Sequence, residues 1–183
     1  MSRLGISPGE VGALLPLEWV PAQAPDAATL IAEAQNATRR LGLLLTFEEV
    51  FAKSYPGSSD ASGELAPLAA RVNWLLDWVL ANHPPEPAWF HFPRSVILTL
   101  TDVRWCESRP LPLQQWGMLH FYPEPRLPWP VVFWAQIEEV GPVEGGWDIR
   151  AQWRGQSEES IGLLEKLLFR LHRREVARAR QSE

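Results

Sequence analysis

Apolar residues recur at helical spacing in the first half of the chain and at strand spacing in the second. After Asp26, a good N-cap residue, they return every three or four positions as far as Phe51, which predicts an amphipathic helix. A second helix is predicted from about Leu65 to Asn82. Apolar residues surround most of its circumference, so one neighbouring helix could not cover them all. We therefore expect residues 26–83 to form a helical hairpin that oligomerises through apolar residues at helical or heptad spacing: Leu30, Leu41, Leu44, Leu68, Val72, Leu75 and Val79.

Short alternating segments separated by proline and glycine characterise residues 84–155. Ten of the 17 prolines lie between Pro84 and Pro130, which excludes long helices from that stretch. Short strands joined by turns at this spacing predict a small antiparallel barrel. The six candidate strands are Trp89 to Phe92, Ser95 to Leu100, Val103 to Glu107, Trp116 to Tyr122, Val131 to Val140 and Trp147 to Trp153.

The two ends of the chain have distinct patterns. Residues 1–25 contain four prolines and no sustained periodicity, which predicts an extended arm docked through Leu14, Leu15, Leu17 and Trp19. A final helix is predicted to start at Ser157, with an apolar face and with basic residues toward its C-terminal end, where cations are favoured. The predicted division is an arm (1–25), a hairpin (26–83) and a barrel with a C-terminal helix (84–183).

Charge and cysteine content narrow the classes of function. A net charge of −5 argues against electrostatic binding to nucleic acid. Cys106 is the only cysteine, which excludes an intramolecular disulfide and fits a reducing compartment. The N-terminus lacks the pattern of a signal peptide, and the longest apolar run, Leu41 to Phe47, is too short to span a membrane. We therefore expect a cytoplasmic protein without a membrane span.

Four local segments, in order, resemble a PilZ domain. Leu98 to Trp105 is similar to the family's motif segment, Arg109 to Leu113 to the proline-containing turn after it, Ala135 to Ile137 to the long central strand, and Trp147 to Trp153 to the last strand. The resemblance covers roughly residues 84–180. It implies an α+β fold, a six-stranded antiparallel PilZ-type β-barrel with a C-terminal helix. The preceding helices resemble an atypical branch of the family whose heptad-bearing helices assemble into tetramers.

The resemblance also identifies degenerate ligand motifs. PilZ domains commonly bind cyclic di-GMP through an RxxxR segment and a [D/N]xSxxG segment. Ile97, Thr99 and Asp102 stand at the acid, serine and glycine positions of the second motif, and the stretch from Ala81 to Phe92 contains no arginine for the first. RxxxR spacings at Arg150/Arg154, Arg170/Arg174 and Arg174/Arg178 are interpreted as chance. We expect no cofactor and no cyclic di-GMP binding of the usual kind.

The function implied by the resemblance is that of a non-enzymatic adaptor in bacterial cyclic di-GMP signalling, linked to type IV pili, motility or virulence. It would act through a protein partner contacted by the barrel and the last helix. An alternative is a cyclic di-GMP receptor with a non-standard site built from Arg94, Arg104, Arg170, Arg173 or Arg174. A third hypothesis, an enzyme using Cys106 with His91 or His120 as base, has weaker support, and the four histidines lack metal-ligand spacing.

Overall fold

The structure, a computed structural model, describes residues 9–53, 71, 75, 93–124 and 130–181. They form a curled antiparallel sheet with two long helices, which confirms the predicted α+β class. Arg71 and Leu75 are helical. The predicted strand Trp89 to Phe92 and the predicted interface residues Leu68, Val72 and Val79 lie outside the described residues. The elements are β1 (Val11–Leu15), β2 (Leu17–Pro21), α1 (Ala27–Lys53), β3 (Arg94–Leu98), β4 (Asp102–Glu107), β5 (Trp116–Phe121), β6 (Val131–Val143), β7 (Gly146–Trp153) and α2 (Glu158–Gln181).

The sheet has seven strands in the order β1-β3-β4-β7-β6-β5-β2, where six were predicted. Its two outermost strands, β1 and β2, follow one another in the chain and are separated only by Pro16. The Pro16 carbonyl accepts a hydrogen bond from Tyr122 N at 3.1 Å. Because the same segment borders both edges of the sheet, the sheet must curl round to meet it.

The segment Val11–Pro21 differs from the predicted arm. It is extended, and Leu15 and Leu17 are buried as expected, but it pairs with β3 on one side and β5 on the other. The strands escaped prediction because each has five residues and Pro16 interrupts the period-2 pattern between them. The division of the chain at residues 25 and 83 stays a prediction.

Aromatic residues fill the inside of the curled sheet. The rings of Phe121, Phe133 and Trp153 lie 5.2 to 6.4 Å apart, and Trp105 is fully buried with its ring 5.9 Å from that of Trp19. The predicted alternation in β7 is confirmed, because Ile149, Ala151 and Trp153 all face this core. Helix α1 packs on β6 and α2, and α2 also packs on β1.

Both helices begin at the predicted caps. Asp26 Oδ1 accepts a hydrogen bond from Thr29 N at 2.7 Å, and this bond lowers the pKa of Asp26. Ser157 Oγ accepts from Ser160 N at 3.1 Å, while Ser160 Oγ accepts from Ser157 N at 2.9 Å. Each cap satisfies amides that the first helical turn leaves without an internal partner.

Burial corrects the predicted oligomer interface on α1. Leu41 and Leu44 lie in the hydrophobic core of their own chain, and Leu30 packs over Gly155. Leu41 and Leu44 are therefore not available to a second copy, whereas Leu30 is half-buried against its own chain. Among the α1 side chains that the structure describes, the large apolar ones that are exposed are Ile31 and Leu43, each about 60% accessible, because they lie on the side of the helix that faces away from β6 and α2.

Candidate functional site

The degenerate ligand motif spans the end of β3, the turn that follows and the first residue of β4. Thr99 Oγ1 accepts hydrogen bonds from the backbone nitrogens of Thr101 and Asp102 at 3.0 and 2.9 Å. The Thr99 carbonyl accepts from Trp153 Nε1, and the Thr101 carbonyl accepts from Trp153 N. The threonine at the family's serine position is thus used to close its own turn.

The other two motif positions also face their own chain. Ile97 is 1% exposed, so its side chain cannot reach a bound ligand. Asp102 Oδ2 accepts from Thr101 Oγ1 at 2.9 Å and lies 4.0 Å from Arg150 Nη1. An aspartate at this position places a negative charge where the usual motif lets the backbone approach a phosphate.

A shallow polar cleft of about 510 Å³ opens beside this turn. The described residues lining it are Gly9, Glu10, Thr99, Thr101, Asp102, Arg104, Glu139 and Arg150. Three carboxylates and two guanidinium groups therefore share one concave surface.

Both arginines of the cleft have carboxylate partners within the chain. Arg104 Nη2 donates to Asp148 Oδ2 at 2.7 Å, which raises the pKa of Arg104. Arg150 donates to Glu139, and this hydrogen bond lowers the pKa of Glu139 and raises that of Arg150. An incoming anion would have to compete with these carboxylates.

A β-bulge in β6 positions two acidic residues that pair with arginines. The register of β6 against β7 shifts between Ile137 and Glu139, so that the consecutive Glu138 and Glu139 both reach arginines of β7 and its end. Glu138 pairs with Arg154 and Glu139 with Arg150. Neither acid is among the residues predicted from the sequence. Two adjacent charged residues interrupting an alternating strand are the signal that could have revealed them.

Most of the other arginines proposed as ligand contacts hold the fold together. Arg94 pairs with Glu107. Arg170 donates to the Leu45 carbonyl at 2.8 Å and so joins α2 to α1. Arg174 donates to the Pro123 carbonyl and to Glu124, a carboxylate that is 4% exposed. The structure does not bring Arg94, Arg104, Arg170 and Arg174 together around one cavity.

Arg173 differs from these four arginines. Its side chain is exposed on α2, and its guanidinium carbon lies 5.9 Å from the centroid of the Phe169 ring, which is itself 62% exposed. A cation over an aromatic face gains modest electrostatic attraction. Both groups therefore face solvent from the helix side that does not touch the sheet.

The environment of Cys106 disfavours its thiolate. Burial raises the pKa of the Cys106 thiol, and the nearby Asp148 carboxylate adds to this shift. Burial lowers the pKa of His120, whose Nδ1 lies 3.8 Å from Glu18. His91, the other base considered, lies outside the described residues. Among the residues that the structure describes, no group of three or more His, Cys, Asp or Glu side chains could hold a metal ion.

Comparison with known proteins identifies the fold. No family model and no curated protein matches the chain. A pathogenic protein from Xanthomonas campestris, described as a new tetrameric PilZ domain self-assembled through an unusual helical bundle, superposes with a TM-score of 0.68 at 21% identity. The match covers 92% of this chain and 91% of that one. This chain has a PilZ-type fold. No helix of the PilZ-type structure, within its described part, is long and apolar enough to cross a membrane.

Proposed function

We propose that this protein is a non-enzymatic, cytoplasmic PilZ-type adaptor in bacterial cyclic di-GMP signalling, in a pathway for type IV pili, motility or virulence. It acts by contacting other proteins and does not bind cyclic di-GMP in the usual way. The observation that carries the proposal is the pairing of both cleft arginines with the chain's own carboxylates. Burial also raises the pKa of the Cys106 thiol, which argues against nucleophilic catalysis by this residue.

The excess of carboxylates over guanidinium groups in the cleft opposes binding of a cyclic dinucleotide. Its described lining carries Glu10, Asp102 and Glu139 against Arg104 and Arg150. A cyclic dinucleotide brings further negative charge through its phosphates, so binding would require the acids to be neutralised or displaced. Arg104 and Asp148 form the partly buried pair of the cleft, and separating them costs more than a new contact returns unless the ligand geometry is excellent.

Calorimetric titration of the whole chain with cyclic di-GMP tests this proposal. We expect no saturable heat up to high micromolar ligand, with a PilZ domain that retains both motifs as the positive control. A Glu139→Gln variant removes the carboxylate to which Arg150 donates but leaves Asp102 4.0 Å from Arg150, and it is likewise expected to give no saturable heat. Saturable binding by the unaltered chain, at one ligand per chain, would overturn the adaptor proposal.

The second candidate function is a receptor with a non-standard site. It is favoured by the placement of Arg104 and Arg150 in the same cleft. In that case Arg104→Ala and Arg150→Ala would each abolish binding. Arg109→Ala, which removes an exposed arginine outside the described cleft lining, would leave binding unchanged.

We further propose that the protein assembles into a homotetramer through its helical region. Support comes from the exposed apolar side chains of Leu43 and Leu75, at 62% and 52% accessibility, and from the tetrameric neighbour of the same fold. An apolar interface between copies of the chain would remove both leucines from water.

Light scattering tests the assembly. Leu43→Asp combined with Leu75→Asp is expected to reduce the mass from that of a tetramer to that of a monomer, because each subunit would place unpaired carboxylates in the interface. Leu113→Asp is the matched control, since Leu113 is 61% exposed in a loop. A folded, soluble double variant with the mass of the parent would contradict the proposed interface.

A further inference from the structure

The side of α2 that faces away from the core has a regular pattern of its own. Six residues follow one another at alternating spacings of four and three: Gly162, Lys166, Phe169, Arg173, Val176 and Arg180. We call them the α2 stripe. The small or apolar members recur every seven residues, and so do the basic members. This heptad arrangement puts all six on one line along the helix.

The α2 stripe is accessible over its whole length. Phe169 and Val176 are 62% and 38% exposed, and the three basic side chains are exposed as well. A Cβ added at Gly162 would meet no atom within 4 Å. The opposite side of α2 is buried, with Leu164, Leu167 and Leu171 in the core. One face of α2 therefore packs in the core, whereas the opposite face exposes apolar and basic side chains in a regular order.

The charges of the stripe are not committed to the fold. Arg170 and Arg174, which lie beside it, donate to backbone carbonyls of other elements. Lys166, Arg173 and Arg180 make no ion pair within the described part of the chain, and Arg173 lies over the Phe169 ring. Within the described residues, the acidic side chains Glu159 and Glu165 border the N-terminal half of the stripe.

We propose that the α2 stripe is the docking surface for an acidic amphipathic helix of a partner protein. The partner helix carries apolar residues and Asp or Glu residues that alternate at the same heptad spacing. Its apolar side chains pack on Phe169 and Val176 and into the gap at Gly162, while its carboxylates pair with Lys166, Arg173 and Arg180. This inference rests on the proposed adaptor function and names the chemical class of its partner.

Charge opposes the stripe of a second copy as the occupant. Two α2 helices packed stripe to stripe, in either direction, would bring six basic side chains into one seam with no carboxylate among its core positions. Like charges at facing core positions oppose pairing, whereas opposite charges fix partner and register.

The length of the stripe sets the size of the partner segment. From Gly162 to Arg180 the helix rises about 27 Å at about 1.5 Å per residue. A matching segment therefore needs roughly five turns of helix. The proposed mode of binding is the recognition of an amphipathic helix through its regularly spaced anchor residues.

Binding of designed peptides to the full chain tests the proposal. The probe is a fluorescein-labelled peptide of three heptads. In each heptad, Leu and Glu occupy the two positions that face the stripe. The control peptide has Lys in place of each of these Glu residues. Fluorescence anisotropy is expected to give a dissociation constant on the order of 10 μM for the Glu peptide. The triple variant Lys166→Glu, Arg173→Glu, Arg180→Glu should bind the Glu peptide at least tenfold more weakly and should bind the Lys peptide more tightly than the parent does.

A matched variant separates the stripe from net charge. Arg39→Glu, Arg109→Glu and Arg178→Glu change the charge by the same amount at exposed positions outside the stripe, and should leave both affinities within about twofold. Equal weakening by the two triple variants, or no binding of the Glu peptide, would overturn the proposal. So would a changed oligomer mass in the stripe variant, because the stripe would then join copies of the chain. Cyclic di-GMP binding would contradict the adaptor function while leaving peptide docking intact.

Discussion

Replacing Trp105 with alanine is expected to lower the free energy of unfolding by about 3–5 kcal/mol, the usual cost of removing a large aromatic from a core. Trp105 is fully buried at the centre of β4, and its ring contacts that of Trp19 across the sheet. Its Nε1 also donates to Glu107 at 3.0 Å, so the substitution leaves an acceptor without that bond. This loss is a large fraction of the roughly 5–15 kcal/mol by which folded domains are usually stable.

Urea unfolding followed by far-ultraviolet circular dichroism measures this loss without depending on tryptophan fluorescence. Trp105→Phe keeps most of the ring volume and should cost less than the alanine variant. Leu113→Ala, at an exposed position, should change the unfolding free energy by less than about 0.5 kcal/mol. A Trp105→Ala protein as stable as the parent would show that the residue does not anchor the core.

Gly117→Ala is expected to destabilise the chain by about 1–3 kcal/mol, because the site has no room for a methyl group. A Cβ at Gly117 would lie 2.5 Å from the indole of Trp19 and 2.7 Å from the Val20 carbonyl oxygen. The carbonyl belongs to the paired backbone of β2 and cannot rotate away as a flexible side chain could. The substitution therefore pushes β2 away from β5.

Gly141→Ala provides the matched control, since Gly141 also lies in a strand and a Cβ there would meet nothing within 4 Å. We expect it to be at least as stable as the parent in urea. Hydrogen exchange should show faster exchange of β2 amides in Gly117→Ala than in the control. Equal unfolding midpoints and equal exchange for the two variants would contradict the close approach of Trp19.

Sequence pattern predicts those parts of the structure in which local periodicity and burial agree. In β7 every second residue from Ile149 to Trp153 faces the core, and the pattern alone predicts that face. On α1 the same logic finds a buried stripe but cannot identify what buries it. Leu41 and Leu44 are therefore correctly predicted as apolar contacts and wrongly assigned to another subunit, because their own sheet and α2 cover them.

The candidate site is less predictable because its properties depend on partners distant in sequence. The sequence shows that Arg104 and Arg150 are cations, but it does not show that Asp148 and Glu139 neutralise them. The degenerate motif at Ile97, Thr99 and Asp102 is visible from spacing, whereas the hydrogen bonds that turn Thr99 inward appear only in three dimensions. The exposure of Arg173, in contrast to the engagement of Arg170 and Arg174, likewise follows from where α2 packs.

The joining of both sheet edges through Pro16 determines the order in which the chain can acquire its structure. The segment Val11–Pro21 is synthesised before its partners β3 and β5, which follow only after α1 and the residues beyond it. On the ribosome this segment must remain without its partner strands while most of the barrel is still being made. Pairings between segments so far apart in sequence form slowly. β1 and β2 thus make the pairings with the greatest sequence separation in the sheet, and until those pairings form the edges of β3 and β5 remain open to other chains.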